Sequence, residues 1–143
     1  MRRRVILDTG PLVALLNGPD TYHDWAKSRV ADIEPPLLTC EAVLSEACFL
    51  LRTLPNGPAT VLEMVTRGAL AVAFRLEGET GRVSDLMKRY ASVPMSLADA
   101  CLVRMAEQNT RSAILTLDGD FRIYRKNGRQ VIPTLMPSDP SDA

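Results

Sequence analysis

Arg4-Val5-Ile6-Leu7-Asp8-Thr9-Gly10-Pro11-Leu12 is the stretch that decides how this chain folds. Val5, Ile6 and Leu7 form a short unbroken apolar run, the mark of a strand buried on both faces in a parallel sheet. The run ends on an acid, Asp8. Gly10 and Pro11 break the strand, and Leu12 to Leu16 begin a helical pattern with Pro11 near its first position. In an open α/β sheet, ligands collect outside the carboxyl ends of the strands. Asp8 falls at such an end. It also has an ordinary reading as the cap of the next helix, through its own carboxylate or through Thr9. The other acids of the chain choose between the two.

Outward from this stretch, strands and helices alternate. Residues 37–39, 70–74 and 113–117 read as further strands, and 130–132 as a weak fifth. Helical spacing marks the stretch from Tyr22 to Ile33, and residues 41–54, 59–67, 77–90 and 96–108. Asn17-Gly18-Pro19-Asp20, Glu34-Pro35-Pro36 and Pro55-Asn56-Gly57-Pro58 separate them. Such alternation predicts an α/β domain, a parallel sheet with helices on both faces. No internal repeat or dividing linker is visible. Residues 1–135 are expected to form one domain, and residues 136–143, rich in Pro, Ser and Asp, a disordered tail.

The 143 residues suffice for one core, and 46% hydrophobic with 24% charged residues is ordinary globular composition. Lys plus Arg equals Asp plus Glu at 17 each, so no global basic field draws nucleic acid. Binding of that kind must come from a local patch or from metal ions. The three cysteines, Cys40, Cys48 and Cys101, lie in apolar patterns and suit free thiols in a reducing compartment. Arg2, Arg3 and Arg4 imitate the start of a signal peptide, but Asp8 and Pro11 interrupt the apolar part. No apolar run approaches the ~18 residues needed to span a bilayer. A cytoplasmic protein with no membrane association is expected.

Four acids fall where charge is not expected. On a wheel of ~100° per residue, Glu46 lies inside the apolar arc of its helix, between Ala42 and Leu50. An unpaired carboxylate there needs a cation. Asp99 lies opposite the wet side of its helix, flanked by Leu102, Val103 and Ala106, although Ser96-Leu97-Ala98-Asp99 also has capping-box spacing. The run 113–117 ends on Asp118, with Asp120 close behind; Gly119 makes a plain turn an alternative reading. Clustered carboxylates repel unless cations separate them. Oxygen donors without histidine select Mg²⁺ or Mn²⁺, and such ions support phosphodiester hydrolysis. His23, the only histidine, falls on the polar side of its helix and is a poor ligand. Thr9, Thr116 and Ser96 offer hydroxyls that could orient water.

Taken in order, Leu7-Asp8-Thr9-Gly10-Pro11-Leu12, Thr39 with Glu46, Ser96-Leu97-Ala98-Asp99-Ala100 and Thr116-Leu117-Asp118-Gly119-Asp120-Phe121 resemble a PIN domain, specifically the VapC-type toxins of prokaryotic toxin–antitoxin pairs. The resemblance runs from Val5 to about Ile132. It implies a five-stranded parallel sheet of order 3-2-1-4-5 and Mg²⁺- or Mn²⁺-dependent cleavage of RNA. It carries over Asp8, Glu46, Asp99 and Asp118 as catalytic, metal-binding acids, with Thr9 and Thr116 in support; Asp120, from its place beside Asp118, is a further supporting acid and a rival for the fourth place. Asp8 and Asp99 would bind the principal ion directly, Glu46 directly or through water, and Asp118 through water or at a second ion. A homodimer and a cognate antitoxin follow from the same likeness.

The RNA backbone is placed along Arg122, Arg125, Lys126 and Arg129, whose plainer reading is a solvated loop. Other readings are a housekeeping PIN nuclease, or a PIN-like scaffold that binds RNA or a protein without cutting. A haloacid-dehalogenase-like phosphatase would need a second acid two residues after Asp8, where this chain has Gly10.

Overall fold

Residues 3–137 are described in the computed structural model. They run β1 (Arg4–Leu7), α1 (Thr9–Leu16), α2 (His23–Ala31), β2 (Leu37–Thr39), α3 (Glu41–Leu50), α4 (Gly57–Thr66), β3 (Leu70–Val72), α5 (Thr80–Arg89), α6 (Leu97–Gln108), β4 (Ser112–Leu115), β5 (Arg125–Lys126), β6 (Gln130–Val131) and β7 (Thr134–Leu135). Short 3₁₀ turns at Leu76–Glu79 and Gly119–Arg122 precede α5 and β5.

β1 sits at the centre of a five-stranded parallel sheet of order β3-β2-β1-β4-β7. Successive strand side chains point to opposite faces, yet Val5, Ile6 and Leu7 are all buried, so both faces are covered. β1 pairs Ile6 with Leu38 of β2 and Leu7 with Leu115 of β4. Two contacts continue the ladder past the strand ends. The Asp8 amide donates to the Leu115 carbonyl at 3.0 Å, and the Thr39 hydroxyl donates to the Leu7 carbonyl at 3.0 Å. The carboxyl ends of β1, β2 and β4 are therefore locked side by side. At the turn between α3 and α4, a Cβ on Gly57 would run into the Leu51 carbonyl, so only glycine lets these helices approach.

The five-stranded order predicted from sequence holds, with one correction to its fifth member. Residues 130–132 do not supply the edge strand. β6 instead pairs antiparallel with β5 in a separate hairpin, and β7 takes the sheet edge beside β4. The hairpin loop is built for reversal: Asn127 and Gly128 both have positive φ, 50° and 85°. Met136, assigned to the tail by composition, is buried. The rest of that tail, residues 138–143, and Arg2 lie outside the described residues.

Candidate active site

An open cleft of about 590 Å³ lies beyond the carboxyl ends of β1 and β4. Asp8, Glu46, Asp99 and Asp118 all line it, with Asp120, Thr9 and Ser96. The strand-then-break pattern places Asp8 there. It is the N-cap of α1, and its Oδ1 accepts from the Thr9 amide at 2.7 Å. Its Oδ2 accepts from the Thr116 hydroxyl at 2.7 Å, and Thr116 is fully buried. The Thr116 hydroxyl in turn accepts from the Asp118 amide at 2.9 Å, which ties the β4 exit to the β1 exit. Asp118 caps the following 3₁₀ turn by accepting from the Asp120 amide at 2.9 Å. Asp99 enters from the first turn of α6, where the Ser96 hydroxyl accepts from the Asp99 amide at 3.0 Å. Each ordinary role read from the sequence is thus real: Asp8 caps a helix, Ser96 caps α6, Asp118 makes a turn. These roles hold the backbone in place and leave the carboxylates facing one cleft.

The electrostatics of the cleft are those of acids without a counter-charge. Burial pushes the Asp8 carboxyl up to about 6, against hydrogen bonds from Thr116 and Thr9 that lower it; Asp99 and Asp118 push it further up. Burial also raises Asp99, and the charge of Asp118 adds to the shift while the Tyr124 hydroxyl opposes it. Glu46 is raised by partial desolvation and then by Asp99. Among the described residues, no Lys or Arg pairs with any of the four; the ion pairs formed there gather on Glu79 and Glu107.

Three sequence expectations need correction. Glu46 is exposed rather than buried in an apolar arc. That arc is cleft rim, since Leu50 is 53% and Phe49 61% exposed. The nearest hydroxyl to Glu46 is Thr9, whose Oγ1 stands 3.5 Å from Oε1. Of the basic residues placed along RNA, Lys126 is buried, and the Arg125 guanidinium donates to the Arg122, Ile123 and Tyr124 carbonyls at 2.7–3.1 Å. Those two serve the hairpin first; Arg122 and Arg129 are exposed. His23 is half-buried, with Nδ1 2.8 Å from the Ala14 carbonyl, so it ties α2 to α1.

One site residue was missed. Tyr124 is fully buried, and its hydroxyl donates to Asp99 Oδ2 at 2.9 Å. Burial and then Asp99 raise the phenol, so it stays a donor. The two residues are 25 positions apart, and no local pattern pairs them.

The donor set suits a divalent cation. All side chains on offer are hard oxygen donors, the preference of Mg²⁺ and Mn²⁺. The upward shifts with no neighbouring cation mark a deficit of positive charge that such an ion would fill. Among the described residues, no group of three or more His, Cys, Asp or Glu side chains is drawn together closely enough to hold a metal ion as it stands.

Fold and cleft define an α/β domain with acids at the carboxyl edge of its central strands. The PIN domain family model matches residues 5–127, and the chain belongs to the PIN-domain family. Among solved structures, it is similar to the crystal structure of Mycobacterium tuberculosis VapC20, a sarcin–ricin loop cleaving toxin. The two share 23% identity and a TM-score of 0.72, over 81% of this chain and 91% of that one. At that identity the likeness is one of fold. No protein in the curated set matches by sequence. Among the described residues, no helix is long and apolar enough to cross a membrane.

Proposed function

We propose that this chain is a Mg²⁺- or Mn²⁺-dependent endoribonuclease that hydrolyses RNA phosphodiester bonds and serves as the toxin of a type II toxin–antitoxin pair. One observation carries the reading: Asp8, Glu46, Asp99 and Asp118 line one cleft, and no cation among the described residues neutralises them. A divalent cation held there supplies Lewis-acid charge at the phosphate and a water of lowered pKa. Asp8 and Asp99 are the residues to hold it, each having its carboxylate fixed by a hydroxyl, from Thr116 and Tyr124. Glu46, exposed at the rim, is suited to a longer contact through water. Asp118 follows Asp8 through Thr116 and is the fourth acid; Asp120 supports it through its amide. Ser96 and Thr9 face the same cleft and can orient water. The cleavage leaves 5′-phosphate and 3′-hydroxyl ends with no covalent intermediate.

Arg122 and Arg129, both exposed, are the basic residues we assign to the RNA backbone. The fold relative's substrate makes the sarcin–ricin loop the first RNA to try. A homodimer, a cytoplasmic location and an antitoxin that covers the cleft complete the proposal. The test is cleavage with Mn²⁺ by Asp8→Asn and Asp99→Asn. Both are expected to lose cleavage while keeping their circular dichroism; cutting at the parent rate by both overturns the mechanism.

A further inference from the structure

We infer that Tyr124 is a positioning residue for the divalent cation: its buried hydroxyl fixes the Asp99 carboxylate in the cleft. The inference rests on the metal-dependent reading above and adds a residue to it.

Asp99 stands in a repulsive field. Asp118 and Glu46 interact with it electrostatically, and so does Asp8. Without a cation, its side chain gains by swinging away from the other acids. Tyr124 is the main protein group that restrains the carboxylate among the described residues. The Tyr124 hydroxyl donates to Oδ2 at 2.9 Å and is the stronger of the hydrogen-bonding influences on the carboxyl, ahead of those from Ser96. Ser96 accepts from the Asp99 amide at 3.0 Å and acts more weakly on the carboxyl from within the same helix turn, whereas Tyr124 reaches it from a different part of the chain. A hydrogen bond to one carboxylate oxygen that leaves the other for the ion is the usual outer-shell arrangement at metal sites.

The donor itself cannot move. Tyr124 is fully buried. Its ring meets Tyr90 edge-on at 5.0 Å and Phe121 at 5.2 Å. The Tyr90 hydroxyl serves the hairpin instead, accepting from the Arg125 amide at 2.9 Å, so only its ring contributes to this packing. The aromatic cluster thus aims one hydroxyl at one carboxylate. Glu46 offers a contrast: exposed, with a single contact of 3.5 Å, it is not held this way. The opposite explanation is that a buried phenol simply needs an acceptor and Asp99 provides it. Loss of the hydroxyl would then weaken the fold and leave metal binding untouched.

Calorimetric titration of the full chain with Mn²⁺ separates the two. Tyr124→Phe keeps the ring and its packing and removes only the donor. Tyr90→Phe removes the neighbouring hydroxyl, which touches no acid. Mn²⁺ affinity is expected to fall by about tenfold in Tyr124→Phe, the scale of an outer-shell loss, and to stay within twofold of wild type in Tyr90→Phe. Melting of the metal-free proteins reports the structural share of each change. If wild type binds Mn²⁺ through Asp99 and Tyr124→Phe binds it equally well, or if Tyr90→Phe weakens binding as much, this inference alone is overturned. If wild type gives no Mn²⁺ heat that Asp99→Asn removes, the metal reading falls and this inference with it.

Discussion

Helix α6 carries two buried or half-buried acids about two turns apart, and the protein treats them in opposite ways. Glu107 has only 1% of its side chain exposed and is fully neutralised. Its Oε2 accepts from Arg82 Nη2 at 2.6 Å and from the Asn127 amide at 2.6 Å, and its Oε1 from Arg82 Nε at 2.9 Å and Arg104 Nη1 at 3.3 Å. Burial alone would raise this carboxyl, but those donors outweigh it and hold Glu107 below the usual range. Glu79 shares Arg104 and also accepts from Gln108. Asp99, at the other end of the helix, shares its cleft with four more acids and no arginine, and its carboxyl is held up. The fold thus has the means to neutralise a buried acid and uses them where the acid is structural: Glu107 ties α5, α6 and the β5–β6 hairpin together. At the cleft no described residue supplies the positive charge.

The comparison breaks first at the level of activity. Asp8→Asn or Asp99→Asn is expected to cut the rate of RNA cleavage by more than about a hundredfold, beyond the loss of an outer-shell partner, whereas Glu107→Gln retains cleavage at temperatures where it stays folded. Initial rates on a labelled RNA in Mn²⁺ check this.

Next comes pH. Asp8 moves from 3.8 in the unfolded chain to about 6 in the fold. Below 3.8 it is protonated in both states and costs nothing. As pH rises toward 6 the unfolded state ionises first, so metal-free stability falls, by about 3 kcal/mol once the fold is ionised as well. Glu107 runs the other way: its contribution is present above 4.5 and is lost as pH falls through its lowered folded value. Urea titrations of metal-free protein should find Asp8→Asn more stable than wild type at pH 7, with the gap closing by about pH 4. A gap independent of pH would contradict the uncompensated state of Asp8.

Glu107→Gln should cost about 2 kcal/mol, less than a fully buried pair because Arg82 and Arg104 are 32% and 28% exposed. Thermal melts read this directly. The smallest effect concerns the exposed Arg129. Its change to Ala should lower the salt dependence of RNA binding by about one unit of slope and leave the cleavage rate of bound RNA unchanged.

The parts of this molecule written in contiguous residues were legible from sequence. Val5-Ile6-Leu7 followed by Asp8 marked both the central strand and the edge where the cleft lies, because a fully buried strand reads as an apolar run. The fifth strand was not legible. β7 is two residues long between Pro133 and Met136, while Gln130–Val131 has the better strand composition and goes into the hairpin. Asn127-Gly128 was the available sign of that hairpin. Glu46 was placed in the right cleft for a wrong reason: a helical wheel cannot distinguish an apolar face turned to the core from one turned to a rim. Tyr124 carried no sign at all, since what makes it matter is a contact across 25 residues.

The most direct measurement is Mn²⁺ titration calorimetry on wild type, Asp8→Asn and Glu107→Gln side by side. If the cleft acids await an external cation, wild type and Glu107→Gln bind Mn²⁺ alike and Asp8→Asn does not bind. Equal binding by wild type and Asp8→Asn would contradict that, and with it the proposed chemistry.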